Sequence, residues 1–190
     1  MIPILFTIDT ISEDTERDII TEIYDNSINE MYAIALRILK NKDDADDAVY
    51  DAIFGLIRDV DKVKQVRPGE RPYLAITYAR YASFNYLRKR NRNAVVPIDN
   101  DDWEEGYAVS DIPDESADVA ELIIKNEQAA RIAKAIKALP PSQRDYVVLK
   151  YYYDYKVADI SAITGMPKKR ISIYLNRAKK KLAEALRDEQ

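Results

Sequence analysis

An all-α chain, built as two small helical domains joined by an acidic linker, is predicted by three observations. Apolar residues recur at helical spacing in two separate stretches, glycine is scarce, and charge is segregated into blocks. The 190 residues have room for one medium domain or two small ones. Apolar residues make up 47% and charged residues 33%, with four Gly in all. Gly weakens helix interiors whereas Ala, Leu, Glu, Lys and Arg favour them, so this mixture points to helices.

The first domain is predicted over residues 1–93. Ile28, Met31, Tyr32, Ala35, Leu36 and Leu39 recur at i, i+3, i+4, i+7, i+8 and i+11, one stripe of an amphipathic helix. Asn41 ends it, and Asp43 or Asp44 caps the next. Ala45, Ala48, Val49, Ala52, Ile53 and Leu56 repeat the spacing. A third helix is predicted from Pro72 to Arg92, with Pro72 in its first turn. Residues 94–118 lack helical periodicity and are rich in Asp, Pro and Ser, which predicts a linker, mobile because it has little to bury. The second domain is predicted over 119–190. There Ile132, Ile136 and Leu139 mark a helix broken by Pro140-Pro141, and another runs through Arg144 to Tyr153. Two more flank Thr164-Gly165-Met166.

Several function classes are disfavoured by composition. The chain has no Cys and no His, which removes disulfides, thiolate and imidazole nucleophiles and the usual zinc ligands. No cofactor or metal is expected. The run Met1 to Ile8 is apolar but short and without a basic flank, so it is expected to pack on the first domain, with no membrane insertion. A cytoplasmic location is expected.

The net charge of −4 hides strong segregation. From Asp99 to Glu121 there are ten acidic residues and no basic one, and from Tyr78 to Arg92 four Arg, one Lys and no acid. From Pro167 to Arg187 eight basic residues face Glu184 alone. Each run by itself reads as a solvated helix face. Together they suit a protein that touches DNA at two places with an acidic connector between.

Val157 to Leu182 predicts a helix-turn-helix. Ile160 and Ile163 belong to a short helix, Gly165 supplies a positive φ, and Pro167 starts the next helix. On that helix Ile171, Leu175, Ala178 and Leu182 form the buried stripe. The opposite side carries Lys169, Ile173, Asn176, Arg177 and Lys180. Lys168, Lys169 and Arg170 crowd its N-terminus, where the helix dipole disfavours cations unless an anion such as DNA phosphate is near. The candidate reading set is Lys168, Lys169, Arg170, Ser172, Ile173, Asn176 and Arg177. Ile173 either meets a thymine methyl or is an ordinary exposed Ile.

Two further surfaces lie in the first domain. Asp47, Tyr50, Asp51, Phe54 and Arg58 face away from the stripe of their helix. Phe54 among carboxylates marks a surface for a basic partner, unless another segment covers it. On the third helix Leu74, Tyr78, Tyr81, Asn85, Arg88 and Arg92 share one side, while Ala75, Ala79 and Ala82 allow close packing. Aromatics leading into Arg suit unpaired nucleic acid; the alternative is a Tyr-rich core.

Over almost its whole length the chain resembles the extracytoplasmic-function (ECF) class of sigma factors of the sigma-70 family. Met31 to Leu39 followed by Asp43 to Phe54 looks like region 2, where a sequence of the type "DAEDAVQEAF" is typical. Tyr73 to Arg90 is similar to the promoter-melting helix. Leu139-Pro-Pro-Ser-Gln-Arg-Asp145 and Ile160 through Leu182 match the region 4 pattern "LPPRQRE…IAEILGIS…RARKKL". The chain departs from the family at Tyr50 (usually Gln), Tyr81 (commonly Asn), Asn85 (commonly Asp) and Pro167 to Arg170 (a small "SVGT" run).

The resemblance implies a promoter-specificity subunit, not an enzyme, with core RNA polymerase and promoter DNA as partners. Asp47, Tyr50, Asp51 and Phe54 would dock on the clamp helices of the largest polymerase subunit. Tyr78, Tyr81, Asn85, Arg88 and Arg92 would open and hold the minus-ten element, and the recognition helix would read the minus-thirty-five element. The acidic linker would run through the polymerase. An anti-sigma factor is a further partner that the resemblance allows. Two rival readings exist. A helix-turn-helix regulator acting without polymerase leaves the first domain without a task. An enzyme using Asp43, Asp44, Asp46 and Asp47 is less economical than acids stabilising a helix start.

Overall fold

The computed structural model describes residues 7–92 and 127–187, and every regular element among them is helical. The chain divides into two compact units, Met1–Ile98 and Asp99–Gln190. The predicted linker lies outside the described residues.

In the first unit α1 (Asp14–Leu39), α2 (Lys42–Arg58) and α4 (Arg71–Arg92) pack against one another in all three pairings. A short α3 (Val60–Val63) and a 3₁₀ turn (Pro68–Glu70) join α2 to α4. Helix α1 is twice as long as its clearest stripe and starts with Asp14 and Glu16 in its first turn, where the dipole favours acids. Met31, Ala35 and Leu39 of the predicted stripe are buried, whereas Ile28, Tyr32 and Leu36 are half-buried at its edge. Ile20, Ile23, Tyr24 and Ile34 complete the buried side.

Helix α1 ends at Lys40, whose φ of 56° is left-handed and whose N–H donates to Leu36 O at 2.9 Å. Asn41 then caps α2: its Oδ1 accepts from Asp44 N at 3.0 Å. This corrects the expectation that Asp43 or Asp44 is the cap; both lie in the first turn. Asn41→Ala is expected to cost about 1 kcal/mol. The thermal midpoint of this unit should fall by roughly 4–8 °C, measurable by circular dichroism; an unchanged midpoint removes the cap from the account.

All six predicted α2 core residues, Ala45, Ala48, Val49, Ala52, Ile53 and Leu56, are at most 2% exposed. Helix α4 is the central element. Each residue from Tyr73 to Tyr81 is buried, so this stretch is covered on all sides and not along one stripe. Hydroxyls in this interior are satisfied by their own helix: Thr77 Oγ1 donates to Tyr73 O at 3.0 Å and Ser83 Oγ to Ala79 O at 2.8 Å. Arg71 anchors the start of α4 through Glu22 at 2.6 Å and Val66 O at 3.2 Å.

The second unit contains α5 (Glu127–Lys137), α6 (Pro141–Val147), a π-helical turn (Val148–Tyr152), α7 (Val157–Thr164) and α8 (Lys168–Arg187). Ile136 and Leu139 are buried as expected, but Ile132 is exposed and Ala133 and Ala135 take the inner side. The proline pair ends one helix and starts the next, because Pro141 opens α6 at a position where a missing N–H costs nothing. The helix expected through Arg144 begins at Pro141. Tyr146, Leu149, Tyr155, Ile160 and Ile171 form the innermost core, each at most 1% exposed.

Candidate functional site

On α2 the outward row is open. Asp47 and Asp51 are exposed, Tyr50 is 36% exposed and Phe54 is 53% exposed. Among the described residues, then, nothing covers Phe54, α4 included. Tyr50 Oη lies 3.2 Å from Thr7 Oγ1, and residues 1–6, the rest of the apolar opening run, lie outside the described residues. Ile8 and Ile11 are buried, and the Arg17 guanidinium donates to Ile11 O. Arg58 ends the row and pairs with Asp59 at 3.0 Å. That hydrogen bond, against a smaller desolvation effect, holds the Arg58 guanidinium above its ordinary pKa.

Helix α4 departs from expectation. Tyr78 and Tyr81 are 4% and 5% exposed, so they are core side chains in this conformation and not an open stacking platform. The physical reason is the central place of α4: with few Leu and Ile along it, tyrosine rings supply the bulk. Tyr78 Oη donates to Asp59 Oδ2 at 2.8 Å, which satisfies its polar end. Further along, Asn85 and Arg88 are half-buried, and an Arg88 Nη2 donates to Asn85 Oδ1. The Arg92 side chain lies outside the described residues. At the far end of α4, Lys89 and Arg90 are exposed.

Asp44, which the sequence suggests as a cap or a dipole partner, also ties α2 to that far end. Its Oδ2 accepts from Arg90 Nη1 at 3.2 Å. Its carboxylate also accepts from the Tyr86 phenol, and this bond is the main cause of a raised Tyr86 pKa. A raised pKa favours the neutral phenol in the folded protein. Its stabilising contribution is present below the ordinary tyrosine value and lost as pH rises through the folded one. Asp44→Asn is expected to bring the Tyr86 titration back toward about 10, followed by NMR of ring-labelled tyrosine. No change would remove the Asp44–Tyr86 bond.

In the second unit the helix-turn-helix is built by local polar bonds. Asp159 Oδ2 accepts from Lys156 N at 2.9 Å to start α7. Gly165, at φ 66°, closes it with its N–H on Ser161 O at 2.9 Å. Ser161 Oγ donates to Met166 O at 2.7 Å, which holds the turn. Pro167 O then accepts from Arg170 N and Ile171 N, at 2.9 and 3.1 Å, so α8 begins at Lys168.

Ile171, Leu175 and Ala178 of the predicted stripe are buried and Leu182 is half-buried. Tyr174, not predicted, joins them, its ring 6.0 Å from Tyr146. Lys168, Lys169, Ser172, Ile173, Asn176 and Arg177 are exposed, with Ile173 at 42%. Arg170 is half-buried, the one member of the set turned partly inward. Arg177 stacks over Tyr174, 5.9 Å from the ring centroid. No acid occupies the first turn of α8, where the helix dipole favours anions over cations. Sequence reasoning missed Tyr151, 63% exposed at the π-helical turn. The run Tyr151-Tyr-Tyr153 has no period from which to pick the outward ring.

Among the described residues no helix is long and apolar enough to cross a membrane. Nor do they hold a cluster of three or more Asp, Glu, His or Cys able to bind a metal. The sigma-70 region 2 family model matches residues 23–93, and the sigma-70, region 4 model matches residues 129–182. The chain is also similar to the ECF RNA polymerase sigma factor SigK of Mycobacterium tuberculosis and to that of Mycobacterium bovis. Each is 20% identical over 166 residues, covering 87% of this chain and 81% of the relative. With region 2 on the three-helix unit, region 4 on the helix-turn-helix unit and a likeness to SigK spanning both, the chain belongs to the sigma-70 family, as a factor of the ECF type.

Proposed function

We propose that the chain directs promoter-specific transcription initiation by docking on core RNA polymerase through the outward row of α2. The observation that carries this reading is Phe54, a 53% exposed aromatic amid Asp47, Asp51 and Tyr50 on a helix whose reverse side is fully buried. An open aromatic ringed by carboxylates suits a basic, partly apolar partner surface. The clamp helices of the largest polymerase subunit are the partner we assign. Sigma factors are regulatory subunits, and no catalytic role is assigned here.

The division of labour follows the chain. Residues 1–93 bind polymerase and handle the minus-ten element through Asn85, Arg88 and Arg92, with Tyr78 and Tyr81 supporting them from the core. Residues 119–190 read the minus-thirty-five element through α8, whose exposed cations and Ser172, Ile173 and Asn176 offer both phosphate and base-edge contacts. Residues 94–118, dense in acid, run through the polymerase between them. The protein works in the cytoplasm, and an anti-sigma factor is a further partner that the family allows.

Reconstituted transcription tests this reading. Core polymerase with the purified chain is expected to initiate at a defined set of promoters that core alone ignores, read by mapping start sites. Duplex binding at those promoters that is unaffected by core, with no initiation, would favour a regulator that works without polymerase.

A further inference from the structure

Three side chains where α2 meets α4 form a chain of contacts from the outward row into the core. Asp59 directly follows α2, and its side chain is 16% exposed against 52% for Arg58. Its Oδ2 accepts from Tyr78 Oη at 2.8 Å and from Arg58 Nη2 at 3.0 Å, while Oδ1 accepts from Arg58 Nε at 3.3 Å. Arg58 continues the outward row one turn beyond Phe54. The Tyr78 ring lies against Gly55 of α2: a Cβ there would stand 3.0 Å from Cδ1 and 3.2 Å from Cε1. Tyr78 is therefore held twice, by the Gly55 notch of α2 for its ring and by the Asp59 carboxylate that follows α2 for its hydroxyl.

We propose that Asp59 is a positioning residue that couples docking on α2 to the placement of the nucleic-acid side of α4. The proposal rests on the assignment of α2 to polymerase and of α4 to the minus-ten element. A partner that engages Arg58 shifts its guanidinium, and the Asp59 carboxylate that it holds by both oxygens moves with it and carries the Tyr78 hydroxyl along. Tyr78 lies on the side of α4 that carries Asn85 two turns later and Arg88 beyond it. A ring drawn toward Asp59 moves that side of the helix, and with it the groups offered to the unpaired strand.

The test is a double-mutant cycle in the full-length protein assembled with core polymerase, reading promoter opening at saturating core together with core affinity and thermal midpoint. Tyr78→Phe is expected to leave core affinity within twofold but to reduce opening at least fivefold. Arg58→Ala should reduce opening comparably, and the double variant should be no worse than either single one, the signature of a shared route. Gly55→Ala, which displaces the ring and leaves the carboxylate, should show the same opening defect. Wild-type opening in Tyr78→Phe, or single effects that simply multiply, overturns the coupling. A merely structural contact moves the midpoint without moving opening in the folded holoenzyme, which also overturns it. Failure of the underlying assignment looks different: Phe54→Ala would then keep full core affinity whatever the cycle shows.

Discussion

Replacing Asp51 by Lys and Phe54 by Ala together is expected to lower affinity for core RNA polymerase at least about a hundredfold while leaving helical content unchanged. The two halves of that statement have separate reasons. Phe54 is 53% exposed, so truncating it opens no cavity, and surface changes of this kind usually stay within about 0.5 kcal/mol of neutral for folding. Docked aromatics, by contrast, are common hot spots worth 2 kcal/mol or more. Reversing Asp51 sets a cation against a basic partner surface, adding repulsion where there was attraction. About 2.7 kcal/mol corresponds to a hundredfold, so the pair need only reach typical values. Affinity for core in a folded double variant, measured by fluorescence anisotropy, checks it. Unchanged binding would remove α2 as the docking helix.

Helix identity was legible wherever one side of a helix is buried and the other is wet. The α2 stripe from Ala45 to Leu56 and the Ile171, Leu175 and Ala178 stripe of α8 are of that kind, and both are buried as read. Helix α4 was legible as a helix but not as a surface. Its residues from Tyr73 to Tyr81 are covered on every side, and a helix wrapped by neighbours has no periodic stripe to separate core from interface. Tyrosine makes this harder, since it serves both as core filler and as stacking platform. Phe54 was the opposite case: its spacing left open whether a neighbour covers it, and only the packing of α1, α2 and α4 answers that. The contacts of Asp44 and Asp59 with α4 were invisible for a different reason. They join residues 46 and 19 positions apart, and nothing local in the sequence records which long-range acid meets which Arg or Tyr.

On α8 the exposed strip separates base reading from charge by distance along the helix. Lys169, Ser172, Ile173 and Asn176 recur at i, i+3, i+4 and i+7, and Lys180 follows at i+11 on the same strip, all exposed. At about 1.5 Å per residue, Lys169 to Asn176 spans roughly 10 Å, which fits a major groove about 12 Å wide. Lys180 stands roughly 16 Å from Lys169 by the same rise and so meets phosphate at most. Lys169→Ala is therefore expected to cost about 1–3 kcal/mol and to relax preference at one position of the minus-thirty-five element. Lys180→Ala should weaken all sequences alike and make the salt dependence shallower by about one phosphate contact. Arg170 was an equal candidate on sequence grounds. Its half-buried side chain places it behind Lys169, so Arg170→Ala should change preference less. The measurement is binding of the full-length protein with core polymerase to a promoter library randomised at the minus-thirty-five element, at two salt concentrations. Equal losses for every sequence in both Lys variants would mean that these two lysines hold DNA by charge alone. Reading would then have to come from Ser172, Ile173 and Asn176, whose hydroxyl, methyl and amide groups carry no charge for salt to screen.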